Sequence, residues 1–236
     1  MSNRLLGHTE ITGIIRCRSG LRIGGNKELV EIGGLDNPVI KHPITNMPYI
    51  PGSSIKGKLR SLLETKYAAF EPDGKPARAL QASKQSDVAK VASFFGPHMN
   101  TRHELGPTRI ICRDAYLTEQ DEEKYAQRML ELGSEFLEIK SETAIDRRTN
   151  TAMNGSLRTI ERVPEGTEFA FSIVLRNYAW GVQADEVKGN LELLFEGMKL
   201  LELDYLGGYG SRGSGQIQFI NVRVNGELSD QFEVRS

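Results

Sequence analysis

The sequence predicts an α+β fold, and three observations carry that expectation. Several segments alternate apolar and polar residues as half-buried strands do, and two longer segments space their apolar residues at helical intervals. Glycine supplies 24 of the 236 residues and clusters, which favours many tight turns over long uninterrupted helices. Hydrophobic residues at 39% and charged residues at 26% are ordinary for a globular chain, and the length fits one large domain or two small ones.

Thr9 to Cys17, with Ile11, Ile14 and Ile15 among polar residues, is the first expected strand. Residues 18–51 are rich in Gly and Pro and read as a long loop. Ser53 or Ser54 can N-cap a helix whose stripe is Ile55, Leu59, Leu62 and Leu63. A polar loop over 71–84 follows, then a short helix from Asp87 to Phe95. Arg109 to Leu117 reads as a second strand, and Thr118 caps a helix running through Met129. Residues 140–164 sustain no period and look like a protruding insertion. From Thr167 to Leu175 the alternation is clean, with Phe169, Phe171, Ile173 and Leu175 on one side. Val187, Leu191, Leu194, Phe195, Met198 and Leu201 mark a helix over Asp185 to Tyr205, stopped by Gly207-Gly208. Gln216 to Val224 alternates again as the last strand. The order βαββαβ is the ferredoxin-like split unit, here carrying long insertions.

Composition also narrows function. Cys17 and Cys112 lie far apart without a CxxC pair, which argues against a disulfide framework or a cysteine zinc site. No apolar run approaches a membrane span and no signal-peptide h-region is visible, so a cytoplasmic protein without a membrane partner is expected. The net charge of −1 argues mildly against a free-standing nucleic-acid binder. Locally, however, Lys41, Lys56, Lys58, Arg60 and Lys66 crowd one region and Arg147, Arg148, Arg158 and Arg162 another. Such polarity is compatible with a polyanion.

Two glycine-rich segments carry the candidate chemistry. Gly52 to Lys58 falls short of a nucleotide P-loop, because Leu59 stands where Ser or Thr would hold magnesium and no strand leads into it. A helix opening on Gly52-Ser53-Ser54 still offers N–H groups and partial positive charge to a phosphate. Lys56 and Arg60, at i and i+4, would extend that site; the same residues also fit a solvated basic face with a good N-cap. Asp36, in Gly34-Leu35-Asp36-Asn37-Pro38, has the chemistry of a turn former that bonds its own backbone. In the run from Gly207 to Gly215, Tyr209 and Arg212 could stack on a base or contact phosphate.

Together, the glycine loop with Asp36, the Pro51-Gly52-Ser53-Ser54-Ile55-Lys56-Gly57 helix entry and the Gly207–Gly215 loop resemble the RAMP superfamily of CRISPR proteins. Glu142 to Arg147, and Glu161 to Phe169, strengthen the likeness, which spans the whole chain and is nearest to the repeated backbone subunit of the type III-A (Csm) effector.

The resemblance implies an RRM-like palm over about residues 8–68, 107–131 and 165–226, in a single domain. It implies a loop insertion near 18–52, another near 69–106, and a thumb-like insertion near 138–164. Copies would stack along a guide crRNA, beside other Csm subunits, and cut complementary single-stranded target RNA at regular intervals. In the family, the aspartate matching Asp36 is required for cutting; its chemistry allows it to act either as a base or as a ligand of a divalent ion, Mg2+ or Mn2+. Ser53, Ser54, Lys56, Lys58, Arg60, Arg147, Arg148, Met153, Tyr209 and Arg212 are then the expected RNA contacts. The rival readings are a non-catalytic filament subunit, type III-B-like or purely structural, and a ferredoxin-like protein unrelated to RNA.

Overall fold

The computed structural model describes residues 4–24, 38–71, 73–76, 87–96, 105–178 and 185–232. Asp36 and most of the polar 71–84 segment lie outside them. Mixed helix and sheet is what the described residues form. Strand β1 (Leu5–Cys17) is followed by helices α1 (Gly52–Lys66) and α2 (Asp87–Phe95), then by the short strands β2 (Ile110–Cys112) and β3 (Tyr116–Leu117). Helix α3 (Glu119–Leu132) leads into β4 (Glu138–Glu142), β5 (Ile145–Asp146), β6 (Thr151–Ala152) and β7 (Arg158–Arg162). Strand β8 (Glu168–Tyr178), helix α4 (Asp185–Leu203), β9 (Ile217–Val224) and β10 (Glu227–Leu228) complete the order. No described helix is long and apolar enough to cross a membrane.

The main sheet runs β10-β9-β1-β8-β2, with β3 also paired to β8, and its paired strands are antiparallel. Period-two alternation explains its buried face in β1 (Ile11 and Ile15) and β8 (Phe169, Phe171, Ile173 and Leu175). In β9 the buried Phe219 and Val222 are three residues apart, across the point where the β1–β9 register shifts and Asn221 takes a φ of 53°. Ile55, Leu59 and Leu63 of α1 and Leu194, Met198 and Leu201 of α4 join them in one core. The stripes read from helical spacing are therefore the stripes that pack.

Three expectations needed correction. The second strand is not continuous from Arg109 to Leu117; it breaks between β2 and β3 because Ala115 pairs with Ile50 instead, through hydrogen bonds of 2.9 and 2.8 Å. The N-cap of α1 is Pro51, whose side chain makes no capping bond, and Ser53 and Ser54 already belong to the first turn. Residues 140–164 are not irregular. β4 and β7 form a two-stranded ribbon, crowned by the β5–β6 hairpin. Its pattern escapes a hydrophobic reading because charge sets the register: Glu138 lies opposite Arg162 and Glu142 opposite Arg158. Elsewhere boundaries shift by a few residues, as where β1 begins at Leu5 and α3 continues to Leu132. Thr118 caps α3 as expected, its side chain accepting from Asp121 N–H.

Candidate nucleic-acid interface

The start of α1 is built by the break in the second strand. Asp114, in that break, accepts the Gly52 N–H at 2.7 Å, and the Ser54 and Ile55 N–H groups both turn back to the Pro51 carbonyl. A carboxylate of the protein thus already answers part of the positive helix end that the sequence offered to phosphate. Ser53 remains exposed on the first turn. Glycine is required at position 52 for a packing reason, since a Cβ there would overlap the Cys112 carbonyl oxygen.

One turn on, the basic residues of α1 diverge. Lys58 reaches Asp204 at 3.2 Å and lies 3.8 Å from the centre of the Tyr205 ring, so its charge is compensated at the end of α4. Lys56 and Arg60 take the other side. Arg60 pairs with Glu64 at 2.7 Å, whereas Lys56 makes no ion pair among the described residues. Burial holds the Lys56 ammonium below the usual lysine range, and the Arg60 and Arg176 charges push it the same way while Cys112 opposes them. Arg176, near the end of β8, has a buried Nε with no hydrogen-bond partner. Of the three neighbouring cations, Glu64 pairs Arg60, while Lys56 and Arg176 make no ion pair among the described residues. Sequence reading missed Arg176, because nothing in a strand pattern shows which helix its last residues face.

A second assembly joins the Gly207–Gly215 loop to the base of the β4–β7 ribbon. Two guanidinium groups approach the Tyr209 ring, that of Arg22 5.0 Å and that of Arg212 5.4 Å from its centre. Gly207, at a φ of 77°, passes so close to the Arg22 carbonyl that a Cβ would overlap it. Arg212 approaches Glu142 at 3.4 Å, and Lys140 Nζ donates to the Arg212 carbonyl at 2.7 Å. Burial opposes ionisation of Glu142, but hydrogen bonds from Arg158 and Lys140 outweigh it and hold its carboxyl below the usual range.

Strand β7 and the residue after it also hold both ends of the segment that contains Asp36. Leu21 and Val163 exchange two backbone hydrogen bonds, and Gly24 bridges to Val39. The buried Glu161 accepts the Val39 N–H at 2.7 Å and pairs with Lys41 at 3.4 Å. Arg162 continues the seam, donating to Ser214 Oγ at 3.1 Å and pairing with Glu138. Asp36 itself falls in the undescribed 25–37.

At the far end of the ribbon, the hairpin carries Arg147 and Arg148 between its strands and Met153 just after β6. Arg148 is largely exposed and 3.3 Å from Asp146. Met153, Ile145 and Leu157 are exposed apolar side chains there. The expected contacts therefore fall in three places: α1, the glycine-rich loop, and the hairpin. Among the described residues no group of three or more His, Cys, Asp or Glu side chains could hold a metal ion.

The described residues thus form an α+β fold in which a charged ribbon and a glycine-rich loop meet beside the segment that follows β1. Residues 14–218 match the RAMP superfamily, and the chain belongs to that superfamily. It is 42% identical over 225 residues to the CRISPR system Cms endoribonuclease Csm3 of Methanothermobacter thermautotrophicus, covering 91% of this chain and 84% of that one. The protein of the same name from Methanocaldococcus jannaschii is 38% identical over 229 residues, covering 97% and 85%. A solved Csm3-Csm4 subcomplex of the type III-A CRISPR-Cas interference complex is similar at a TM-score of 0.56 and 30% identity, covering 94% of this chain and 80% of the other.

Proposed function

We propose that this chain is the repeated backbone subunit of a type III-A CRISPR effector, binding guide crRNA and cutting complementary target RNA. The observation that carries this reading is its near full-length likeness to endoribonucleases named Csm3. The strand order β9-β1-β8-β2 supports treating the main sheet as a ferredoxin-like, RRM-like palm. On the same reading the ribbon and its hairpin are the thumb, neighbouring copies and other Csm subunits are the protein partners, and the cytoplasm is the compartment.

Lys56 and Arg176 then hold guide phosphates, adding salt-dependent affinity without sequence preference, and Arg60, already paired with Glu64, adds less. Tyr209 and Arg212 contact RNA at the ribbon base, and Met153 with Arg147 and Arg148 meets it at the hairpin. Cutting follows from a displaced nucleotide whose 2′-oxygen reaches its own phosphorus in line. The O2′–P bond forms, the P–O5′ bond breaks, and the 2′ proton leaves as the 5′ oxygen gains one. The products are a 2′,3′-cyclic phosphate and a 5′-OH. Asp36 serves either as the base or as the residue that holds a divalent ion, Mg2+ or Mn2+, which would neutralise charge on the phosphate.

The test is cleavage by the assembled, guide-loaded complex: regularly spaced cuts support the reading and uncut target overturns it. Binding gives a second measurement. Lys56→Ala is expected to weaken single-stranded RNA binding and to reduce the slope of log affinity against log salt by about 0.7, as loss of one phosphate contact does. Lys58→Ala, whose charge Asp204 already compensates, should leave that slope nearly unchanged.

A further inference from the structure

Outside the sites assigned above, a cluster of aromatic rings stands on the surface beside the start of α1. Tyr49 and Tyr116 stack with centroids 5.8 Å apart and planes 25° from parallel. His42 meets both edge-on, at 6.5 and 6.0 Å with 77° between planes. Tyr116 is 50% exposed although it lies in a sheet strand, paired opposite Ala170, and Tyr49 and His42 are partly buried. An edge-on ring fixes the tilt of the stacked pair, so the platform is preorganised.

We propose that Tyr116 and Tyr49 form a stacking subsite for an unpaired nucleobase of single-stranded RNA. The inference rests on the RNA-binding reading above and extends it to a base contact. One short stretch of chain carries the argument. Cys112 lies beside Lys56, Asp114 binds the first N–H of α1, and Tyr116 bears the exposed ring. Cys112 pairs opposite Ile173 and Tyr116 opposite Ala170, so their side chains lie on opposite faces of an edge of the sheet. At most about 14 Å of extended chain separates them, and one RNA strand would reach both by passing over that edge. Cations that track a backbone, followed by rings that accept bases, are the two parts of a single-strand site. The surroundings favour RNA over protein. Arg113, exposed three residues before Tyr116, makes no ion pair among the described residues and offers a cation to a phosphate next to the rings. The stacking tolerates any base, so the subsite adds affinity without reading sequence.

The test uses the full chain with two probes of equal length, an oligouridylate and an abasic oligomer with the same phosphates. Tyr116→Ala is expected to weaken oligouridylate binding about tenfold or more, within the range of base–aromatic stacking. Tyr116→Phe, which keeps the ring and loses the hydroxyl, should restore it. The abasic oligomer should bind the wild type and Tyr116→Ala equally, with the salt slope unchanged. Oligouridylate binding within twofold of wild type in Tyr116→Ala, or an equal loss for the abasic oligomer, overturns the subsite. So does a changed oligomeric state with RNA affinity intact, which would make the rings a protein contact. If Lys56→Ala weakens binding and Tyr116→Ala does not, only the subsite falls. If the wild type binds neither probe, the RNA-binding reading falls with it.

Discussion

Glu161→Ala is expected to lower stability by about 2–3 kcal/mol, the loss carried by one buried hydrogen bond to a charged acceptor. Its carboxylate is buried, accepts the Val39 N–H at 2.7 Å and faces Lys41 at 3.4 Å. Removing one partner of a buried ion pair commonly costs about 3–5 kcal/mol, because the other charge is left alone. Here Lys41 keeps Glu135, so the orphan is the Val39 N–H, in a residue only 4% exposed. For a chain of this size the melting temperature should fall by about 4–12 °C. Thermal unfolding followed by circular dichroism reads it directly. Glu161→Gln should fall less, since its amide oxygen can still accept from Val39. Equal melting temperatures for the alanine variant and the wild type would show that the bond contributes nothing. The same loss would remove one of the holds on Val39, where the Asp36 segment returns, and leave the Gly24–Val39 bridge and the Ile40 N–H to Ile23 carbonyl bond.

What the sequence made legible follows from periodicity. The stripes of α1 and α4 and the alternation of β8 were readable because one face of each is apolar and buried. The glycine-rich loop reads as a surface for RNA, whereas the close approach that its Gly207 makes is to Arg22 of the same chain, which no local pattern shows. The failures share a cause as well: each depends on a partner distant in sequence. Ala115 leaves the sheet for Ile50, Asp114 reaches Gly52, and Glu161 reaches Val39. The ribbon stayed hidden because opposite charges, not apolar residues, line up across it. Lys58 and Lys56 looked alike in sequence, and only the fold shows that Asp204 pairs one while the other makes no ion pair among the described residues.

Asp36→Ala is expected to lower target cleavage about 10²–10⁴-fold, the span a positioned acid–base group contributes. Guide loading should survive, for a structural reason. The ends of the segment are held by the Gly24–Val39 bridge, the Ile40 N–H to Ile23 carbonyl bond at 2.9 Å and the Glu161 contact, none of which uses Asp36. Alanine alone does not separate chemistry from turn formation, because an aspartate in Gly-Leu-Asp-Asn-Pro also suits a side chain bonding its own backbone. Asparagine separates them. It keeps the side-chain oxygen that a turn needs and removes the negative charge that a base or a metal ligand needs. Cleavage lost in both variants, with guide loading intact, fits a chemical role. Cleavage restored by Asn assigns Asp36 to the turn. Unchanged cleavage in both leaves the cutting to other residues and sinks the catalytic assignment.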